Sequence, residues 1–143
     1  MTENSKIFLK NKIYFLRESN KDDHQFIYNL TNEFIKSNLS VTYLTLEPFE
    51  KFFNNKTKRF MITDGINLIG FVQILENNEV GYFLDKEFQN KGIGTEAVEL
   101  LMNIFPRKRY FATIHNNNES SKKLVKKLGF FPKATIYEKI TDS

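Results

Sequence analysis

Apolar and polar residues alternate through residues 11–17 (NKIYFLR), the period-two pattern of a half-buried strand. Ser19 follows as a helix N-cap, with Asp22 and Asp23 placed to favour the positive helix end. Phe26, Ile27, Leu30 and Phe34 then recur at helical spacing. Thr45 caps a second, short helix predicted over residues 46–54, where Pro48 is tolerated in the first turn. Two strands, 59–63 and 68–75, are joined by the turn Asp64-Gly65-Ile66-Asn67, and Asn77-Asn78 turns the chain into a strand at 79–84. A helix over 95–105 has to stop before Pro106. Residues 108–115 read as a fifth strand, 118–128 as an amphipathic helix closed by Gly129, and 131–140 as a final strand. The predicted order is β-α-α-β-β-β-α-β-α-β, with no repeat or linker to mark a boundary, so one domain is expected over residues 1–143.

Composition narrows the class. The chain is 41% apolar and 15% aromatic, with 15 Phe and no Trp, so a packed core is expected. No apolar run approaches the ~20 residues of a membrane span, and lysines interrupt the start, MTENSKIFLKNKIYF, so the expected location is the cytoplasm, away from any membrane. With no cysteine there is no disulfide, thiolate metal site or acyl-cysteine step. His24 and His115 lie too far apart for ligand spacing, so no metal is expected. The net charge of +4 and pI near 9.2 suggest nucleic acid, but only four of the 21 basic residues are Arg, the residue that base and phosphate recognition favours. No nucleic-acid partner is therefore expected, although the basicity helps to attract an anionic cofactor.

The chemistry concentrates at residues 79–105, EVGYFLDKEFQNKGIGTEAVELLMNIF. A strand, a polar turn and then Gln89-Asn90-Lys91-Gly92-Ile93-Gly94 lead into a helix at Thr95. Glycines at a helix mouth turn the backbone sharply and clear side chains from its unpaired N–H groups, which is how a phosphate site is made. The same glycines satisfy the dinucleotide fingerprint G-x-G-x-x-G/A, with Ala97 last. That reading needs the strand to run straight into the first glycine, and an acid about 20 residues on. Here residues 85–91 intervene, and 109–115 carry no acid.

The segment resembles the coenzyme-A-binding motif Q/R-x-x-G-x-G/A of the GNAT superfamily of N-acetyltransferases. A second stretch, Asn118-Glu119-Ser120-Ser121 through Leu128-Gly129-Phe130, is similar to that superfamily's N-x-x-S-x-x-x-[LV]-x-K-x-G-F. Together with Gly81-Tyr82-Phe83-Leu84, it points to the branch that acetylates ribosomal-protein N-termini and small amines. The resemblance covers nearly the whole chain. It implies an α/β (α+β) fold with a mixed, mainly antiparallel sheet of six or seven strands and about four helices. The sheet is expected to splay between its fourth and fifth strands, 79–84 and 108–115. Only 14 residues follow Gly129, where family members usually carry two strands.

The resemblance also implies the activity: direct transfer from acetyl-coenzyme A to a primary amine on a protein N-terminus, a polyamine or a small molecule, by a monomer or homodimer. The alternative is a coenzyme-A-binding or regulatory module of the same fold. Gln89 and the backbone of Lys91, Gly92, Ile93, Gly94 and Thr95 are the expected pyrophosphate contacts. Phe83 and Leu84 are expected to supply the oxyanion N–H and the edge that pairs with pantetheine. Asn118 is implied beside the thioester sulfur and Ser121 near pantetheine or pyrophosphate, against readings as a plain N-cap and a packing residue. Lys122, Lys123, Lys126 and Lys127 form a stripe that reads as a solvated face, with Lys122 or Lys123 a further candidate for the 3′-phosphate. Glu79 is the candidate base, acting through water, or an exposed strand end. Many relatives carry a Tyr general acid where this chain has Val125. Tyr82 is the candidate replacement, or a core aromatic.

Overall fold

The computed structural model describes residues 5–141. Five strands form an antiparallel meander, β1-β2-β3-β4-β5, in chain order: β1 Lys6–Leu9, β2 Lys12–Glu18, β3 Lys58–Thr63, β4 Leu68–Ile74 and β5 Val80–Leu84. Among the described residues four α-helices accompany the sheet: α1 His24–Lys36, α2 Phe49–Phe52, α3 Ile93–Ile104 and α4 Glu119–Lys127. A β-strand presents alternate side chains to opposite faces, and both faces here are covered. On one, Tyr14, Leu16, Ile62, Val72, Val80 and Leu84 pack against Ile93, Ala97, Val98 and Leu101 of α3. On the other, Met61 and Phe71 pack against Ile27 and Leu30 of α1 and Phe52 of α2.

The start of α1 is held by ionic and capping contacts together. Asn20, not Ser19, is the cap of the preceding 3-10 turn Lys21–Asp23; its side chain accepts from the Asp22 N–H, and Asp23 Oδ2 accepts the Asn20 N–H at 2.9 Å. The same Asp23 carboxylate takes both terminal nitrogens of Arg17 on β2, each at 2.8 Å. The guanidinium bond holds the Asp23 carboxyl below its usual range, against the opposing effect of its burial.

Several expected elements differ. The sheet has five strands among the described residues rather than six or seven. One of them, β1, was not foreseen. Residues 108–115 do not form a strand: among the described residues one parallel bridge, Glu79 to Phe111, is their only pairing. Residues 131–140 are exposed and take no place in the sheet, leaving Phe131, Ile136, Tyr137 and Ile140 outside the core. The helix expected over 46–54 shrinks to α2, a single turn.

The β5 edge positions the site. Val80 N–H donates to the Phe111 carbonyl at 2.8 Å, and Phe111 N–H to the Asn78 carbonyl at 3.3 Å. Beyond this contact the two segments do not pair, so the opening expected between 79–84 and 108–115 is present, with its closed end at Glu79. Close approach of β4 to β5 depends on Gly70, because a Cβ there would collide with the Phe83 carbonyl.

Candidate active site

Gly92 is the N-cap of α3, with φ +88, a left-handed conformation that only glycine adopts without strain. No side chain caps this terminus, and the first intrahelical bond runs from Glu96 N–H to the Gly92 carbonyl at 3.2 Å. The amides of Ile93, Gly94 and Thr95 therefore have no helical acceptor and form the positive end of a 12-residue dipole. Gly94 has a different role. A Cβ there would lie 3.0 Å from Leu124 Cδ1 and 3.1 Å from the Tyr82 ring, so its missing side chain makes room for Tyr82 and α4.

Helix α4 is brought to the same place by two polar ties. Ser120 Oγ donates to Asn90 Oδ1 at 2.6 Å, joining α4 to the glycine turn, where Asn90 itself has φ 62. The Tyr82 hydroxyl lies 2.7 Å from Ser121 Oγ, joining α4 to β5. Asn118 Oδ1 accepts the Ser121 N–H at 3.1 Å, so Asn118 is the N-cap of α4. Its Nδ2 has no protein acceptor among the described residues.

Between these elements runs a cleft of about 210 Å³, lined by Tyr82, Leu84, Gln89, Gly92, Gly94, Thr95, Asn118 and Ser121. These eight residues picked out from sequence, and Lys123, a candidate for the 3′-phosphate, thus meet around one space. Gln89 Nε2 donates to the Leu84 carbonyl at 3.0 Å, so its amide fixes the turn leaving β5. Burial pushes the Tyr82 phenol above its ordinary value, against a smaller opposing effect of the Ser121 bond, and keeps it protonated across the physiological range.

Other expected residues lie elsewhere. Ile93 is buried in the core and does not line the cleft. The Lys91 ammonium lies over the Phe88 ring, 5.7 Å from its centroid, and borders a separate hollow with Lys10 and Lys12. Phe83 is sandwiched between Phe71 and Phe34. Antiparallel pairing alternates amides between the two edges of a strand. With Leu75 N–H bonded to Glu79 O and Asp85 N–H to Ile69 O, the Phe83 amide turns toward β4, while those of Tyr82 and Leu84 face the open edge. The edge donors are therefore Tyr82 and Leu84, not Phe83. Glu79 lies at the closed end of the opening, about 10 Å along the strand from Tyr82. Its Oε2 accepts the Thr113 hydroxyl at 2.5 Å.

Sequence reasoning missed Asn90, Ser120, Phe34 and Leu39, all of which line the cleft. Asn90 was readable in principle, since Asn is among the few non-glycine residues that tolerate positive φ.

Uncapped amides at one end, an open strand edge along one wall and polar side chains opposite suit an elongated anionic ligand bearing amides. That is the chemistry of coenzyme A, and the donors present fit it. Residues 15–131 match the model of the acetyltransferase (GNAT) domain family, and the chain belongs to that family. The class so defined is an acetyl-coenzyme-A-dependent N-acetyltransferase. No curated protein sequence matches the chain. Among solved structures, it is similar to the spermidine N-acetyltransferase from Vibrio cholerae in complex with CoA and spermine. That match has 23% identity and a TM-score of 0.68, covering 90% of this chain and 86% of that one. RimL, a ribosomal L7/L12 alpha-N-protein acetyltransferase in complex with coenzyme A, matches at 16% identity and TM-score 0.67, covering 90% and 85%. The ribosomal-protein-S5-alanine acetyltransferase from Vibrio fischeri matches at 22% identity and TM-score 0.65, covering 88% and 82%. At these identities the likeness is one of fold.

Proposed function

We propose that this protein acetylates a primary amine directly, with the cleft between β5, α3 and α4 as the acetyl-coenzyme A site. The observation that carries the reading is the uncapped N-terminus of α3 opening into the same cleft as Asn118, Ser121 and the free edge of β5. Acetyl-coenzyme A supplies a thioester carbonyl and a thiolate leaving group. The amides of Gly92 through Thr95 hold its pyrophosphate by fixed N–H donors, and the open edge of β5 aligns its pantetheine arm.

The Leu84 or Tyr82 amide faces the region where negative charge develops on the carbonyl oxygen. Asn118, anchored through Oδ1, directs its free Nδ2 toward the thioester end. Tyr82 retains its proton and provides the acid that the chain lacks at Val125, while Ser121 holds its hydroxyl in place. Glu79 draws the proton from the incoming amine through water. A peptide α-amine, with pKa near 8, needs less help than an alkylamine near 10. Structural neighbours that act on protein N-termini and on polyamines support an amine acceptor of either kind.

The test is release of free thiol from acetyl-coenzyme A against a panel of peptides with free N-termini, polyamines and small amines. Amine-dependent, saturable release is expected. Coenzyme A binding without release from any amine would instead identify a binding module.

A further inference from the structure

Arg59 on β3 is 9% exposed, yet among the described residues no carboxylate pairs with it. Its guanidinium carbon lies 5.2 Å from the Phe52 ring centroid and 5.3 Å from that of Phe53, and its Nε donates to Gln73 Oε1 at 3.2 Å. Among the described residues the two terminal nitrogens have no protein acceptor. Since no fully buried polar atom is left without a partner, these nitrogens reach solvent. The result is a two-pronged donor held in apolar walls and open at its tip. No carboxylate acts on it electrostatically either; the one charged-group influence on Arg59 among the described residues is Tyr43. A cation buried without a counter-charge is unfavourable where an apolar side chain would fill the same aromatic cage. Its presence is explained if a ligand supplies the anion.

The sheet places this donor relative to the chemistry. Arg59 pairs with Gln73, and Gln73 with Gly81 on β5, so the three share one face of the sheet with Glu79. Two interstrand spacings put Arg59 about 10 Å from Gly81. Tyr43, in the loop between α1 and α2, is close enough for its phenol to act electrostatically on Arg59. The guanidinium leans toward Gln73, and hence toward the candidate base.

We infer that Arg59 recognises an anionic group on the acceptor, so that the preferred substrate is a primary amine that also carries a carboxylate, as in a short or acidic peptide, and not a polyamine. The inference rests on the acetyltransferase reading and specifies its acceptor.

Triglycine and triglycinamide form a matched pair for the test. They share the amine and differ in the terminal carboxylate. The measurement is kcat/KM for each by thiol release, in the native protein, Arg59→Met and Arg59→Lys. Expected are a preference for triglycine of about tenfold or more in the native protein, its loss in Arg59→Met, and partial retention in Arg59→Lys. Because the ratio is taken within one preparation, a partly folded variant does not bias it. Equal use of both peptides by the native protein, a preference surviving in Arg59→Met, or spermidine outperforming triglycine would overturn the inference and leave the acetyltransferase reading standing. Failure of every amine would defeat that reading instead. Calorimetric binding of the two peptides then judges Arg59: carboxylate-dependent binding lost in Arg59→Met supports it, and equal binding refutes it.

Discussion

Asn118 presents two polar atoms with separate tasks, and one substitution separates them. Its Oδ1 accepts the Ser121 N–H at 3.1 Å and caps α4, while Nδ2 is free beside the cleft. Asn118→Ala removes both. Loss of the cap should lower stability by about 1 kcal/mol, which for a chain of 143 residues is a fall in Tm of about 3 °C. Loss of one donor in a cleft poor in water should cost about 1–3 kcal/mol in the transition state, or about ten- to a hundredfold in kcat. Asn118→Asp keeps the acceptor and adds a charge favoured at a helix N-terminus, so Tm should hold or rise slightly, while the donor is lost and kcat still falls about ten- to a hundredfold. Affinity for coenzyme A should change much less than kcat in Asn118→Ala, since the amides of α3 remain. The assays are single-turnover rate, calorimetric affinity and thermal melting on both variants. An Asn118→Asp protein with native Tm and native kcat would show that Asn118 is a cap alone.

Other substitutions probe the remaining contacts. Tyr82→Phe should lower kcat about tenfold or more with little change in cofactor affinity, as steady-state kinetics would show. Because burial raises the Tyr82 pKa above its unfolded value of about 10, the unfolded chain releases that proton first; the resulting stability is intact below pH ~10 and declines above it. Melting curves of Tyr82→Phe should lack that part of the alkaline decline. Asp23→Ala breaks the paired bonds from Arg17 and the cap of the turn before α1, and should cost about 3 kcal/mol by urea denaturation at pH 7. As Asp23 has a lowered pKa, that contribution is present above its unfolded value of about 4 and fades as pH falls through the lower folded value. Gly94→Ala forces Tyr82 or Leu124 to shift, and should reduce kcat more than its helix-propensity gain of about 1 kcal/mol alters Tm.

Much of this architecture is legible because its determinants are local. The alternation in β2, the apolar runs of β4 and β5 with the turns that bound them, the stop at Pro106 and the Asn118 cap each follow from a few adjacent residues. The glycine turn was also legible, but its two glycines act differently. Gly92 meets a backbone need visible in sequence, whereas Gly94 answers to Tyr82 and Leu124, which are distant along the chain. β1 escaped notice because it is four residues long, and its turn places Lys10 at φ 55 with no glycine to mark it. Residues 108–115 and 131–140 have strand-like composition but lack the partners that make a strand; pairing is a property of the sheet, not of the segment. The Arg59 cage was likewise invisible, since Phe52, Phe53 and Gln73 surround it only after β3, β4 and α2 have come together.

The most direct test of the cofactor site is a nitrogen-15 NMR titration of the protein with coenzyme A. The backbone amides of Ile93, Gly94 and Thr95, the edge amides of Tyr82 and Leu84, and the Asn118 side-chain amide should move together on one saturating curve. The Phe83 amide, turned into the sheet, should move least along that strand. Saturable shifts confined to the hollow beside Lys10, Lys12 and Lys91, with the α3 terminus and Asn118 unmoved, would contradict the account.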